Sequence, residues 1–175
     1  MPEAITRART EDFGALWQFY ADVCTQQEHD QYSPMWTLGV YPAEEDIRGH
    51  LEAGEFYLTS RDGRIAGALV LTPHEDPEYA HIPWPTPAAD DEVAVIHLLA
   101  VHPRMRGKHI GAMLAEGAIA LARTMGKRVI HLDVVHQNLA ASRIYKQAGF
   151  TFVGPFQVFY EDTGLMHFDM YEYVL

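Results

Sequence analysis

The stretch RMRGKHIGAM, residues 104–113, gathers three permanent cations, one histidine and two glycines in a chain whose formal net charge is −11. It follows VAVIHLLAV, residues 93–101, which is nearly all apolar, as expected of a strand covered on both faces. After it, apolar residues recur at helical spacing up to about Arg123. The local pattern therefore predicts a strand, a short cationic turn and a helix.

A turn of this composition suits a bound phosphate. The first amides of a helix have no internal partner, and the helix dipole adds about half a positive charge at that end. Glycine lets the backbone approach an anion, and Arg106 and Lys108 would add charge-assisted hydrogen bonds worth about 1.5–3 kcal/mol each. The G-x-x-x-x-G-K-[ST] pattern is absent, and no G-x-G-x-x-G follows the first strand. We expect a phosphate site of another type.

The rest of the chain alternates strand and helix patterns. The pattern predicts further strands at 4–9, 55–60, 64–72, 129–135, 151–160 and 165–175, with an Asp62-Gly63 hairpin turn. It predicts further helices capped by Thr10, opening at Pro42 with Ile47 and Leu51 buried, and running from Asn138 to Gly149. Residues 73–90 contain five prolines and are expected to form an exposed loop, either a lid or a connector. Together these elements predict a three-layer α/β domain around one mixed sheet.

Composition excludes several classes of protein. A chain of 175 residues with 48% hydrophobic content fits one globular domain. The lone Cys24 cannot form an internal disulfide, no charged-then-apolar leader is visible, and no apolar run reaches about 18 residues, so a cytoplasmic protein without a membrane segment is expected. Net acidity argues against non-specific nucleic-acid binding.

The cationic turn resembles the acyl-CoA-binding motif of the GCN5-related N-acetyltransferase (GNAT) superfamily. The family pattern [Q/R]-x-x-G-x-[G/A] reads Arg106-Gly107-Lys108-His109-Ile110-Gly111 here. The resemblance continues upstream in IHLLAVHP and downstream in NLAASRIYKQAGF, which is similar to the family's N-x-x-A-x-x-x-Y-x-x-x-G-F signature. Three pieces in order, over roughly residues 93–153, make the resemblance specific.

The resemblance implies a fold and an activity. The fold is a three-layer α/β/α domain over residues 1–175, with a central mixed, mostly antiparallel sheet of about seven strands and about four helices. The activity is transfer of an acetyl group from acetyl-CoA to a primary amine of a small molecule or peptide. A module that binds acyl-CoA without turnover, as a sensor, is the alternative. A homodimer is compatible with the family.

The resemblance also assigns acetyl-CoA contacts. Leu99, Ala100 and Val101 would pair with the pantetheine arm like an added strand, beside a gap where the next strand splays away. The pyrophosphate would meet the backbone of Arg106, Gly107, Lys108, His109, Ile110, Gly111 and Ala112, while Asn138 would meet the pantetheine arm and also cap its helix. His109 replaces a family glycine, and a left-handed conformation costs a non-glycine residue about 1–2 kcal/mol. The loop could differ in shape, with the His109 ring turned outward or contacting phosphate itself.

Catalytic roles follow from the same resemblance. Tyr145 occupies the position of the general acid, which protonates the departing thiolate. His97 is the one polar residue of its strand, and a two-residue period puts it on the face of Leu99 and Val101, so it is our candidate general base. Glu92, acting through water, is the alternative base. A structural, buried role for His97 stays open.

Acceptor specificity is expected to come from the N-terminal helices, the 73–90 loop and the last strands. Trp36, Tyr41, Tyr79 and Trp84 lie in polar or proline-rich surroundings and would either wall an amine site or anchor loops. The acidic composition favours a cationic acceptor such as a polyamine, an aminoglycoside or a lysine side chain. The histidines lack metal-ligand spacing, so no metal site is predicted.

Overall fold

Seven strands and four α-helices alternate along residues 4–175, the part of the chain that the structure, a computed structural model, describes. In chain order they are β1 (Thr6–Arg7), α1 (Phe13–Gln27), α2 (Glu44–Glu52), β2 (Phe56–Arg61), β3 (Arg64–Thr72), β4 (Val93–Val101), α3 (Ile110–Thr124), β5 (Val129–Val135), α4 (Leu139–Ala148), β6 (Thr151–Tyr160) and β7 (Gly164–Val174). The numbers of strands and helices expected from the family resemblance are confirmed over these residues.

The strands form one mixed sheet in the order β1-β2-β3-β4-β5-β7-β6. All described pairings are antiparallel except that of β4 with β5. This parallel pairing is short, because only Val93–Val95 pair with Val129–His131. Beyond these three pairs the two central strands diverge, which confirms the expected gap in the middle of the sheet.

Helices cover both faces of the sheet. On one face, α3 and α4 pack over β3, β4 and β5, with Leu69, Ile96, Leu114 and Leu132 in the core. On the other face, α1 and α2 bury Leu16, Tyr20, Ile47 and Phe56. A third apolar cluster lies under the 73–90 loop and includes Tyr79, Ile82, Val158 and Met170. The predicted three-layer architecture is confirmed.

The structure moves two predicted helix starts. Residues Thr10–Asp12 form a short 3₁₀ turn and α1 begins only at Phe13, so the prediction that Thr10 caps a helix opening at Glu11 is wrong. The carboxylate of Asp12, the residue directly before α1, accepts a 2.7 Å hydrogen bond from the Arg9 amide, and its negative charge interacts favourably with the positive end of the helix dipole. Likewise α2 begins at Glu44 rather than at Pro42.

Turns with positive φ fix the ends of several elements. Asp62 and Gly63, at φ 53° and 73°, join β2 to β3 as the predicted hairpin. Gly126 and Gly149, at φ 71° and 99°, end α3 and α4, since glycine adopts this conformation without steric cost.

Candidate functional site

A cavity of about 330 Å³ lies at the split between β4 and β5. His97 and Leu99 reach it from β4, Asp133 from β5 and Tyr145 from α4. Two predicted acceptor residues, Trp36 and Tyr41, line it from the segment between α1 and α2. The fold therefore brings together residues from both halves of the sheet, as expected where strands of a sheet diverge.

A β-bulge in β4 shapes this cavity. Val70 pairs with His97 and Ala68 with Ala100, so β4 has one extra residue, and Leu98 takes a positive φ of 52°. The bulge puts Leu99 on the α3–α4 face and leaves His97 on the face of α2. The prediction that His97 shares a face with Leu99 and Val101 is wrong, because the extra residue breaks the two-residue period.

Tyr145 is buried, with only 6% of its surface exposed, and it lines the cavity. Within residues 4–175 its hydroxyl has no hydrogen-bond partner. Burial, and then the negative charge of Asp133, raise the pKa of the Tyr145 phenol. The hydroxyl therefore stays protonated near neutral pH and is free to donate a hydrogen bond into the cavity.

His97 lines the same cavity and stacks on His50, with ring centroids 6.4 Å apart. Burial, followed by the charges of His50 and His74, lowers the pKa of His97 to about 3. The ring is consequently neutral at pH 7, with one nitrogen able to accept a proton.

The cationic turn has the left-handed backbone conformations typical of a glycine-rich loop, although one of its residues is His109. Gly107 has φ 73° and open space where a Cβ would lie, and His109, at φ 60°, adopts the left-handed conformation directly before α3. The His109 side chain is exposed. The Met113 amide is the first in α3 to bond back, at 3.1 Å to the His109 carbonyl, so the preceding helix amides remain available for an anion.

Arg106 makes a bidentate ion pair with Asp30, at 2.6 and 2.7 Å. The hydrogen bond from this guanidinium lowers the pKa of the Asp30 carboxyl. Lys108 is exposed and makes only long contacts with the 104–105 segment, 3.4 Å to the Arg104 carbonyl. Of the two cations in the motif, Lys108 therefore has no acidic partner within residues 4–175, whereas Arg106 is paired across to the segment after α1.

The other residues that the sequence predicts to contact acetyl-CoA lie along β4, α3 and α4. Beyond Val95 the edge of β4 that faces β5 has no strand partner in the described chain, so Leu99, Ala100 and Val101 border the split. Asn138 lines the cavity and caps α4, its side-chain oxygen accepting from the Ala141 amide at 3.3 Å. A Cβ on Gly111 would lie 2.7 Å from Ile144, so this glycine also allows α3 to approach α4.

Three of the predicted catalytic and acceptor residues, Glu92, Tyr79 and Trp84, do not line the cavity; Tyr79 lies behind it in the third apolar cluster. The Glu92 carboxylate accepts the Ala89 amide at 2.8 Å and lies 3.8 Å from Arg128, at the far end of β4. Trp84 stacks on His131, with centroids 3.6 Å apart and planes 6° from parallel. The structure therefore gives no support to Glu92 as base or to Tyr79 and Trp84 as acceptor contacts.

The structure adds an acidic cluster that the sequence reasoning missed. The hydroxyls of Tyr79 and Tyr160 donate to Asp133, at 2.7 and 2.8 Å, and Tyr160 also lies 3.4 Å from Asp76. Burial raises the pKa of both carboxyls, that of Asp76 to about 6. One signal was present: Asp133 is the only acidic residue of β5, where His131 is the only other polar residue, as His97 is the only polar residue in its own strand.

Metal binding and membrane crossing are two further properties that residues 4–175 bear on. In this part of the chain no grouping of three or more His, Cys, Asp or Glu side chains has the arrangement of a metal site. No helix described there combines the length and the apolar character that crossing a bilayer requires.

The sequence profile of the Acetyltransferase (GNAT) family matches residues 8–150. The "Uncharacterized N-acetyltransferase YesJ" of Bacillus subtilis is 27% identical over 127 residues, covering 71% of this chain and 69% of YesJ. Other curated relatives are longer, and the matched regions span 30%, 26% and 36% of their length.

Solved structures share the fold. The acetyltransferase of GNAT family from Streptococcus pneumoniae superposes with a TM-score of 0.70 at 18% identity, covering 100% of both chains. The structure of yncA from Salmonella typhimurium, solved with its cofactor acetyl-CoA, gives a TM-score of 0.68 at 18% identity, covering 98% of this chain and 93% of that one.

Proposed function

The chain belongs to the acetyltransferase (GNAT) family, and from that premise we propose that it transfers an acetyl group from acetyl-CoA to a primary amine of a small molecule or peptide. One observation carries the proposal: the buried Tyr145 directs an unpartnered, protonated hydroxyl into the cavity at the split between β4 and β5. A donor in this position suits a leaving group that needs a proton.

The turn before α3 and the unpaired edge of β4 have the chemical groups that acetyl-CoA binding requires. Diphosphate is matched by the free amides at the start of α3, by the open approach at Gly107 and by the exposed Lys108. The unpaired edge of β4 at Leu99–Val101 offers backbone hydrogen-bonding groups to an extended arm. Acetyl-CoA supplies an activated acetyl group as a thioester; the chain positions it and moves the protons.

Tyr145 serves as the general acid. The neutral acceptor amine attacks the acetyl carbonyl carbon, a C–N bond forms and the C–S bond breaks, and the Tyr145 hydroxyl gives its proton to the departing sulfur. The raised pKa of Tyr145 keeps this proton on the phenol until negative charge develops on the sulfur. The products are an N-acetyl amide and free thiol.

His97 serves as the general base in this proposal. With a pKa of about 3 its neutral ring is too weak a base to deprotonate a free ammonium. It is suited to take the proton after attack, because the amine nitrogen becomes strongly acidic as the C–N bond forms. Glu92 is not used, since its carboxylate lies outside the cavity.

Amine-dependent thiol release from acetyl-CoA tests the proposed function. We expect release with at least one member of a broad panel of primary amines, and mass spectrometry should find the acetyl group on the amine. Stabilisation of the fold by acetyl-CoA with no release on any amine would instead support a non-catalytic binding module.

A further inference from the structure

The cavity carries acidic side chains without a permanent cation to balance them. Asp76, Asp133 and Asp162 line it, and among residues 4–175 no lysine or arginine does. Resting on the proposed function, we propose that the acceptor carries two amino groups. One is acetylated, and the other stays protonated and is bound by Asp133 and Asp76.

The carboxylate of Asp133 is oriented by two hydrogen bonds that leave one of its oxygens available to a cation. The hydroxyls of Tyr79 and Tyr160 both donate to the same oxygen, Oδ2, at 2.7 and 2.8 Å. Within residues 4–175 no hydrogen bond reaches Oδ1. Tyr79 is only 1% exposed, so one of the two tyrosines is fixed by packing. This arrangement orients the carboxylate while leaving one oxygen for a ligand.

Asp76 is incompletely satisfied. Its Oδ1 accepts the Glu78 amide at 2.8 Å, whereas Oδ2 lies 3.4 Å from the Tyr160 hydroxyl. That hydroxyl has one proton, and its shorter bond goes to Asp133, so Oδ2 of Asp76 lacks a good donor. An ammonium group has three donors and can serve both carboxylates at once.

Burial makes a cationic ligand favourable here. Both carboxyls have raised pKa values chiefly because their charged forms lose hydration, and Asp133 also acts on Asp76 as a like charge. A protonated amine would offset both effects, since an opposite charge stabilises a buried carboxylate.

The bound ammonium cannot also be the nucleophile. Acetyl transfer requires a neutral amine with a free lone pair, whereas two carboxylates hold an amine in its charged form. The unpartnered Tyr145 hydroxyl marks the reacting end of the same cavity. A second amino group is therefore needed to reach the acetyl carbon, which selects a diamine over a monoamine.

Three acceptors of similar length test the inference: butylamine, putrescine and γ-aminobutyrate. They differ in the group at the far end, which is a methyl group, a second ammonium or a carboxylate. We expect kcat/KM to be about 10- to 100-fold higher for putrescine than for butylamine, the range of one charge-assisted hydrogen bond, and lowest for γ-aminobutyrate.

Variants locate the effect. Asp133→Asn and, separately, Asp76→Asn should lower kcat/KM for putrescine about 10-fold or more, and should lower it for butylamine by a clearly smaller factor. Asp91→Asn, an exposed aspartate outside the cavity, is the matched control and should change neither. Circular dichroism verifies that each variant is folded, and the two aspartates are tested independently so that one misfolded variant leaves the other informative.

The outcomes separate this inference from the proposed function. Turnover with equal kcat/KM for butylamine and putrescine, or an equal loss for both in the variants, overturns the two-amine acceptor and leaves acetyl transfer standing. If no amine is turned over, putrescine in the presence of CoA is tested by thermal shift. A rise in melting temperature that the aspartate variants abolish supports the cation site alone, and the absence of a rise overturns it.

Discussion

The Tyr20 hydroxyl donates a 2.6 Å hydrogen bond to the carbonyl oxygen of Leu98, the residue with positive φ at the bulge of β4. Tyr20 is fully buried, and desolvation raises the pKa of its phenol. The bond satisfies a carbonyl that the bulge withdraws from the regular ladder. A helix on one face of the sheet thus supports the strand distortion that shapes the cavity.

Tyr20→Phe should destabilise the fold. It leaves the Leu98 carbonyl buried without a donor, and we expect the free energy of unfolding to fall by about 1–3 kcal/mol. Urea denaturation followed by circular dichroism measures the change. The control is Tyr173→Phe, which removes a more exposed hydroxyl bonded to Arg123 and should cost less than about 1 kcal/mol. Equal losses would mean that the buried bond gives no special support to the bulge.

Tyr145→Phe should separate chemistry from binding. Removing the proton donor should lower kcat by about 10²–10⁴-fold, the usual contribution of a general acid. The dissociation constant of acetyl-CoA should stay within about 3-fold, because a lost neutral contact costs little. Stopped-flow thiol release and calorimetry provide the two readouts. Tyr57→Phe, a buried tyrosine outside the cavity, is the control, and an unchanged kcat in Tyr145→Phe would remove the acid role.

Arg106 and Lys108 should recognise phosphate. Replacing both by alanine should weaken acetyl-CoA binding about 100-fold and acetylpantetheine binding less than about 3-fold, since the latter lacks the diphosphate. Arg104→Ala, a neighbouring exposed cation outside the family motif, serves as the control. A comparable loss for both ligands would show that these cations act on something other than phosphate.

Asp30 competes with phosphate for Arg106 in this interpretation. Asp30→Asn removes one charge of the 2.6 Å ion pair, so acetyl-CoA should bind as tightly as before or more tightly. Titration calorimetry at fixed ionic strength measures this. Weaker binding in Asp30→Asn would show instead that Asp30 positions the guanidinium.

Asp76 should make the fold less stable as pH rises. Its pKa is raised from 3.8 to about 6, so between these values the folded state binds a proton that the unfolded state has released. The free energy of unfolding must therefore decrease with pH across this window and level off above it. Asp133, whose pKa is also raised, adds to the same trend.

Asp76→Asn removes one titrating group and should flatten this part of the stability profile. Chemical denaturation at several pH values from about 4 to about 7 measures the slope. Asp91→Asn, an exposed carboxyl, should leave the slope unchanged. A slope that is identical in wild type and Asp76→Asn would contradict the raised pKa.

Periodic apolar patterns and turn residues predicted most of the fold. β5 and the Asp62-Gly63 hairpin lie where the pattern placed them, and Ile47 and Leu51 are buried as expected, because these signals are local. The cationic turn and Tyr145 were found through a spaced motif, and the structure brings Tyr145 to the cavity beside the predicted gap. The chemical roles assigned to these residues stay predictions.

Other features depend on contacts between distant residues. The bulge at Leu98 is stabilised by Tyr20, which is 78 residues away in sequence, so a two-residue period could not reveal it. Asp76 and Asp133 meet only because the 73–90 loop packs against β5 and β6. Trp84 is likewise drawn away from the cavity by its stacking on His131.

Within the described residues 4–175, three residue pairs join β4 to β5, and they lie at one end of those strands. The sheet therefore consists of two halves, β1–β4 and β5–β7, which are joined only by this short parallel pairing within the described chain. A molecule bound along the unpaired edges of β4 and β5 would contact both halves and connect them. Binding of such a ligand would therefore also supply the missing connection between the two halves of the sheet.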